Sequence, residues 1–274
     1  MIDLASVTYS YPSTPSPPAI RDLSLSIRHG QFVAVLGENG SGKSTMARLL
    51  NGLILPDRGS VTVDGMSTSD AEDVWEIRQR LGMVFHNPES QIVATTVEEE
   101  VAFGLENAGV PRDVMRRRIG WALETVGLAG TELREPHLLS GGQKQRLSIA
   151  AVLAVQPRHV VLDEATSMLD VTGRRELLST LRRLNADLGV TVVLITHFVE
   201  EAIEADRVVV LRNGTIALDG PPRELLPEGS RLREAGIRPP FAVEMADELR
   251  EAGVPLARDI YLPNELVDAL CRLT

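Results

Sequence analysis

The stretch FVAVLGENGSGKS, Phe32 to Ser44, decides the fold, because a continuous apolar run leads directly into a glycine-rich loop. Such an apolar run is typical of a parallel strand that is covered on both faces. The loop matches the pattern G-x-x-x-x-G-K-[S/T] from Gly37 to Ser44, and the helical pattern TMARLLNGL follows it. Strand, loop and helix in this order predict a phosphate-binding loop, since backbone N–H groups and a helix N-terminus converge there on phosphate oxygens.

The residue types of this loop predict individual contacts with a bound nucleotide. Lys43 is expected to reach the β- and γ-phosphates, and the Ser44 hydroxyl is expected to ligate Mg²⁺. The predicted ATP-binding residues of the loop are Gly37, Glu38, Asn39, Gly40, Ser41, Gly42, Lys43, Ser44 and Thr45. The alternative, a strand-to-helix turn without a ligand, is disfavoured by the flanking strand and helix.

Two more continuous apolar runs, Val160–Leu162 and Thr191–Thr196, predict further parallel strands, and helical patterns lie between the runs. This alternation is typical of an α/β layered domain. Near the N-terminus, Ile2–Leu4 and Leu23–Ile27 alternate apolar and polar residues, which predicts half-buried antiparallel strands. The proline-rich segment YPSTPSPPA between them is predicted to be a loop.

Two other stretches have a helical character. Residues 92–156 interrupt the α/β core, and Thr96 and Glu99 have the spacing of a capping box at a helix start. Residues 221–274 form a short tail in which FAVEMADELREAG places Ala242, Met245, Ala246 and Leu249 on one helical face.

The segment VVLDEA supplies two acids at the end of a predicted parallel strand. Asp163 is expected to hold Mg²⁺ through water, because Mg²⁺ keeps much of its hydration shell in proteins. Glu164 is expected to orient the attacking water and take its proton. A solvated acid at a strand end is the alternative for Glu164, and a complete phosphate-binding loop in the same chain makes that alternative weak.

A second anion-binding helix start is predicted in LLSGGQKQR, where Ser140, Gly141 and Gly142 precede an amphipathic helix. Two such helix starts in one chain predict a dimer, in which a nucleotide lies between the first site of one subunit and the second site of another. An ordinary helix cap is the alternative for SGG alone.

With these motifs, residues 1–220 strongly resemble the nucleotide-binding subunits of ABC transporters. The resemblance implies a P-loop NTPase cassette with a RecA-like parallel-sheet core, an N-terminal antiparallel β subdomain and an inserted helical subdomain at about residues 92–156. It also implies that Lys43, Glu164 and His197 are catalytic and that ATP is the substrate. The remaining nucleotide contacts implied are Tyr11 stacking on adenine, His86, Ser140, Gly141, Gly142, Gln143 and, at a dimer interface, Asp170. A loop anchor, a strand-end cap and a solvated acid are the alternatives for Tyr11, His197 and Asp170.

Within the ABC family the sequence particularly resembles the ATPases of energy-coupling-factor (ECF) importers for vitamins, cobalt and nickel. The segments that carry this resemblance are MVFHNPESQIVATTVEEEVAFGLEN, DEATSMLD and the tail PPRELL…LPNELVDAL. It implies that residues 221–274 are a small helical dimerisation extension. It further implies a second ATPase subunit, identical or similar, a transmembrane coupling subunit and a substrate-binding membrane subunit, at the cytoplasmic face of the membrane.

Three acids, Glu98, Glu99 and Glu100, begin the helix that follows this segment. Family resemblance implies a coupling subunit with arginine-bearing helices, which these acids would complement. A solvated helix start is an equally strong alternative for each acid, because acids are favoured there by the helix dipole.

Composition limits the other function classes. The net charge is −10, which argues against a nucleic-acid partner.

The alternatives retained are an ATPase of another ABC transporter class, a soluble non-transport ABC ATPase and a non-hydrolysing cassette. The soluble type requires two cassettes or a long coiled-coil insertion, and the non-hydrolysing type conflicts with Glu164 and an intact LSGGQ.

The sequence departs from the family pattern at His86, where ABC cassettes have a glutamine whose oxygen lies on Mg²⁺. Imidazole is a poor ligand for this hard ion, so direct ligation by His86 is the weakest of three interpretations. A tolerated loop residue ranks second, and a role through a metal-bound water or in coupling ranks first. Gln91 lies in the same loop, but not at the aligned position.

Overall fold

The computed structural model describes residues 1–12 and 17–273, so the middle of the predicted proline-rich loop lies outside the described residues. The strands are β1 (Ile2–Tyr9), β2 (Ile20–Ile27), β3 (Phe32–Leu36), β4 (Arg58–Val63), β5 (Met66–Ser67), β6 (Leu81–Val84), β7 (His159–Asp163), β8 (Thr191–Ile195), β9 (Arg207–Arg212) and β10 (Thr215–Gly220). The helices are α1 (Lys43–Leu50), α2 (Ala71–Arg80), α3 (Val97–Asn107), α4 (Arg112–Thr125), α5 (Gly141–Ala154), α6 (Val171–Leu188), α7 (Pro222–Leu225), α8 (Gly229–Glu234), α9 (Phe241–Glu251) and α10 (Pro263–Cys271).

A mostly parallel sheet with the strand order β10-β9-β3-β8-β7-β6 forms the core. Its strands pair in parallel except β10, which runs antiparallel to β9. All residues of β3, β7 and β8 are buried, which confirms the parallel strands predicted from the apolar runs. Because these strands are parallel, the segments that follow them meet at one edge of the sheet, where ligands bind in open α/β folds.

A second, antiparallel sheet has the order β2-β1-β4-β5. Leu4 of β1 lies opposite Leu25 of β2, and both are buried, while Ala5, Ser24 and Ser26 beside them are exposed. The predicted half-buried antiparallel strands are thereby confirmed. This sheet packs with α1 against Val33 and Val35 of β3, so one apolar core lies between the two sheets.

The other face of the core sheet is covered by helices that include α3, α4 and α5, which lie in the stretch between β6 and β7 for which helices are predicted. Phe32, Ala34 and Leu36 of β3 point into this second core. The capping box at the start of α3 is confirmed, since Thr96 and Glu99 each accept a hydrogen bond from the backbone N–H of the other.

The C-terminal residues form short helices that pack partly on the core and partly on each other. Leu226, Leu232 and Val243 belong to the core beneath the helical face of the sheet. Ala242 and Ala246 of α9 form a separate small cluster, against which Met245 and Leu249 pack, as predicted for this helical face. Across residues 1–12 and 17–273, no helix is long and apolar enough to cross a membrane.

Candidate functional site

The glycine-rich loop after β3 folds tightly because of its glycines. A Cβ atom at Gly37 would lie 2.3 Å from Ser41 Oγ, and one at Gly42, whose φ is 107°, would lie 2.6 Å from the Ala19 carbonyl oxygen. The loop therefore encloses the side chain of Lys43, whose Nζ donates hydrogen bonds to the carbonyl oxygens of Gly37 at 2.7 Å and Glu38 at 3.1 Å.

Lys43 is a buried cation at a helix start. Burial lowers the pKa of its ammonium group, while the nearby carboxylates of Glu164 and Asp163 act in the opposite direction. A buried ammonium beside a helix N-terminus favours an anionic ligand such as phosphate, because both the charge and the dipole attract it.

Two oxygen ligands for a hard cation meet next to this loop. The Ser44 hydroxyl, at the start of α1, donates a hydrogen bond of 2.9 Å to Asp163 Oδ1, at the end of β7. Burial raises the pKa of the Asp163 carboxyl, and the hydrogen bond from Ser44 lowers it. An oxygen-only pair of this kind fits Mg²⁺, which prefers carboxylate, hydroxyl and water ligands.

Glu164 lies at the centre of the candidate catalytic group. Its backbone adopts a left-handed conformation with φ of 52°, and its N–H donates to the Ile195 carbonyl at the end of β8. Glu164 Oε1 lies 3.8 Å from Lys43 Nζ, and Oε2 lies 3.6 Å from His86 Nδ1 and 3.7 Å from His197 Nδ1. The structure thus brings together the side chains that the sequence assigns to catalysis.

His86, in the loop after β6, makes its polar contacts with Glu164 and, at 3.5 Å, with Ser167 Oγ. The sequence favours a role through a metal-bound water or in coupling, and these contacts leave that role of His86 a prediction. Gln91 does not substitute for the missing glutamine, because its Oε1 accepts a hydrogen bond from the Phe85 N–H and closes the loop.

A pocket of about 560 Å³ opens beside the phosphate-binding loop, and Tyr11 lines it. The Tyr11 hydroxyl lies 3.1 Å from Thr45 Oγ1 and receives a hydrogen bond from Arg48. Arg21 and Asn213 also line the pocket, and Arg21 Nε donates to the Asn213 carbonyl at 2.8 Å. No motif indicates these last two residues, which become neighbours only when β2 packs beside the β9–β10 turn.

The second predicted nucleotide-binding segment lies elsewhere in the same chain. Ser140 and Gln143 form a capping box at the start of α5, and Gly141 and Gly142 face Met168. None of these residues is among the described residues that line the pocket beside the phosphate-binding loop.

Asp170 has a local contact that the sequence did not indicate. Its Oδ1 accepts a hydrogen bond of 2.7 Å from the Gly173 N–H, so that the side chain caps the start of α6. The interface role of Asp170 stays a prediction.

The structure corrects the docking prediction for one of the three acids at the start of α3. Glu100 is buried, and its Oε2 accepts hydrogen bonds of 2.9 Å from the N–H groups of Val93 and Ala94. Its carboxylate stabilises the preceding loop and is not available to a partner's arginine. Glu99 is committed to the capping box, whereas Glu98 lies half-buried at the surface of α3.

Comparison with protein families resolves the identity of this arrangement. The model of the family described as "ABC transporter" matches residues 20–167, more than half of the chain. The chain belongs to the ABC transporter family. The predicted family and cassette fold are confirmed.

Curated relatives match almost the full length. The chain is 48% identical over 267 residues to the "Energy-coupling factor transporter ATP-binding protein EcfA1" of Caldanaerobacter subterraneus, covering 97% of this chain and 96% of the relative. It is 53% identical over 255 residues to the protein of the same name from Symbiobacterium thermophilum, covering 93% of this chain and 89% of the relative.

Solved structures show the same cassette. CbiO1 from Clostridium perfringens, described as part of the ABC transporter complex cbiONQ, superposes with a TM-score of 0.77 at 30% identity, over 91% of this chain and 98% of that one. A dimeric post-hydrolysis state of the ATP-binding cassette MJ0796, bound to ADP and Pi, superposes with a TM-score of 0.75 at 30% identity, over 81% and 98% of the two chains.

Proposed function

We propose that this ABC cassette is the ATP-hydrolysing subunit of an ECF-type importer, which powers the uptake of a vitamin or a transition-metal micronutrient. The observation that carries the hydrolytic part is the position of Glu164, whose carboxylate is within 4 Å of Lys43, His86 and His197 beside the phosphate-binding loop. The near full-length similarity to ECF ATP-binding proteins supports the transport part.

In this proposal the working unit is a pair of cassettes, formed with a second copy or with a similar ATPase. The nucleotide pocket is lined by the phosphate-binding loop, but its described lining lacks Ser140 and Gly142 of the same chain. A second chain would supply these residues across the interface. Their helix start and capping box leave backbone N–H groups that favour a phosphate anion.

The residues of one chain perform distinct steps. Lys43 binds the β- and γ-phosphates, and its buried ammonium offsets charge that develops on the transferred phosphoryl group. The Ser44 hydroxyl and the Asp163 carboxylate would hold Mg²⁺, which supplies further positive charge beside the same phosphates. Glu164 orients the attacking water and takes its proton. His197, whose Nδ1 lies 3.7 Å from Glu164 Oε2, would contact the γ-phosphate.

ATP binding favours the closed pair of cassettes and hydrolysis releases it, because the closed pair alone makes contacts from both chains to the nucleotide. A transmembrane coupling subunit would receive this motion at the start of α3. A groove of about 370 Å³ next to this helix is lined by Leu53, Phe85 and Phe103. Leu53 and Phe103 are exposed apolar side chains. Glu98, half-buried in the first turn of α3 and outside the described lining of this groove, would contact a basic residue of the coupling subunit.

The test is affinity purification of the full chain from membranes in mild detergent. We expect an integral membrane coupling subunit and a substrate-binding membrane protein to co-purify, with ATPase activity in the complex. An active ATPase that brings down no integral membrane protein overturns the transport assignment, whereas a membrane complex without ATPase activity overturns the hydrolytic one.

A further inference from the structure

A group of histidine and aspartate side chains lies at the edge of the core sheet opposite to the nucleotide pocket. His159 is the first residue of β7, whose last residue, Asp163, lies in the catalytic region. His29 follows β2, and Asp64 lies in the turn between β4 and β5. One ligand atom from each of His29, Asp64 and His159 lies within 4.8 Å of the others.

The distances within this cluster are compatible with a shared cation. Asp64 Oδ1 lies 3.0 Å from His159 Nε2 and 3.2 Å from His29 Nε2. In a tetrahedral site with metal–ligand bonds of about 2.0–2.1 Å, neighbouring ligand atoms lie ~3.3 Å apart. The two imidazole rings are stacked with centroids 5.2 Å apart, so both present Nε2 to the same carboxylate oxygen.

The side chains of the cluster offer two imidazole nitrogens and one carboxylate oxygen as ligand atoms. Two imidazoles with one carboxylate match transition-metal ions, whereas Mg²⁺ and Ca²⁺ prefer oxygen alone.

Other cations contact Asp64 as well. The Met1 nitrogen lies 2.7 Å from Oδ1, and Arg80 and Arg158 approach Oδ2 at 3.6 and 3.8 Å. The two guanidinium groups therefore lie on the side of one carboxylate oxygen, and the other oxygen faces the imidazoles and the Met1 nitrogen. A hydrogen-bonded cluster without a metal is the competing explanation, in which the Met1 amino group takes the position of the ion.

We propose that His29, Asp64 and His159 bind a divalent transition-metal cation of the zinc type. The ion joins the end of β2 and the β4–β5 turn, both in the antiparallel sheet, to β7 of the core sheet. It stabilises the folded chain at a place remote from the nucleotide, because it binds only when these elements are assembled.

The test uses the full chain after treatment with EDTA, without nucleotide, and Zn²⁺ alone as the probe. We expect isothermal titration calorimetry to show that each chain binds Zn²⁺ at this site. We also expect Zn²⁺, but not Mg²⁺, to raise the melting temperature of the chain. His29→Gln should weaken binding at least tenfold and remove the rise in melting temperature. The His29 side chain is 58% exposed, so this variant is expected to fold.

His137→Gln is the matched control. His137 is also an exposed histidine, 69% accessible and 3.3 Å from the carboxylate of Glu135, but it lies outside the cluster. Its replacement should leave Zn²⁺ binding and the rise in melting temperature as in the unaltered chain. The proposal is overturned if the unaltered chain does not bind Zn²⁺, or if His29→Gln binds it with unchanged affinity.

Discussion

At the scale of the residue, His86 lies in the loop that leads to α3 and faces Glu164, the proposed base. Its Nδ1 faces Glu164 Oε2 at 3.6 Å and Ser167 Oγ at 3.5 Å. A glutamine at this position would present an amide to Glu164 in place of an imidazole. The contact therefore makes His86 a direct neighbour of the proposed base.

We expect His86→Gln to lower the rate of ATP hydrolysis by less than about tenfold, since glutamine removes the imidazole that contacts Glu164 but not the base itself. The measurement is the steady-state ATPase rate, with transport where the complex is available, from pH 5.5 to 8.5. Unchanged rates of hydrolysis and transport would establish His86 as a tolerated loop residue.

Glu164→Gln serves as the reference for loss of the base. It removes the proton acceptor at nearly constant size, so a loss of ~10²–10⁴-fold is expected at every pH. A loss of that size in His86→Gln, with Mg²⁺ binding also lost, would instead support direct ligation of the metal by His86.

The site residues differ in how far the sequence reveals them. The convergence of Lys43, Asp163 and Glu164 beside one loop was predictable, because the phosphate-binding motif and the acids both follow buried parallel strands. Glu100 was not, because an acid in the first turn of a helix has the same pattern whether it faces water or a buried loop. Only the structure shows that Val93 and Ala94 donate their N–H groups to it.

At the scale of the element, Glu201 connects three segments around the catalytic group. It lies in a 3₁₀ helix after His197, accepts a hydrogen bond of 3.0 Å from Thr166 Oγ1, and lies 3.3 Å from Arg174 of α6. Arg174 in turn lies over the ring of Phe198, 3.6 Å from its centroid. The position of the segment that carries His197 therefore depends on this buried acid.

Burial raises the pKa of Glu201, while hydrogen bonds from Thr196 and Thr166 and the charge of Arg174 lower it. The unfolded chain therefore loses this proton first as pH rises through the ordinary value of 4.5. The protonated Glu201 carboxyl therefore contributes fully to the free energy of unfolding below that value. The contribution is lost as the pH rises through the pKa that Glu201 has in the folded chain.

We expect Glu201→Gln to remove this loss. The free energy of unfolding, measured with urea from pH 4 to 7, should fall less with rising pH in the variant than in the unaltered chain. Glu200→Gln, an exposed neighbour, is the matched control and should follow the unaltered chain. Parallel curves for Glu201→Gln and the unaltered chain would contradict the prediction.

The elements of the core were predictable for a simple physical reason. A strand covered on both faces must be apolar throughout, so β3, β7 and β8 are visible as continuous runs. The strand order was not predictable from such runs, because pairing depends on contacts between distant segments. The convergence of His29, Asp64 and His159 has the same cause, since each side chain comes from a distant segment of the chain.

At the scale of the whole molecule, the C-terminal extension presents apolar surface. Phe241 of α9 and Val267 of α10 are each more than half exposed, although the same helices bury Ala246 and Leu266 in a small core of their own. Helices α9 and α10 already pack on each other, so their exposed apolar side chains are available for an interface. This agrees with the proposed role of residues 221–274 in dimerisation.

We expect Val267→Glu to weaken self-association in the absence of ATP at least tenfold, because a charge would be buried at the interface without a partner. Sedimentation of the purified full chain over a range of concentrations measures this directly. Leu188→Glu is the matched control, since Leu188 is equally an exposed apolar residue, 64% accessible, but ends α6 in the ATPase core. Val267→Glu keeps the small core of the extension, so the weaker self-association is not expected to come from unfolding. Circular dichroism of the variant checks this. A Val267→Glu dimer as tight as the original would contradict a dimerising extension, and a chain that stays monomeric without substitution would contradict pairing with a second copy.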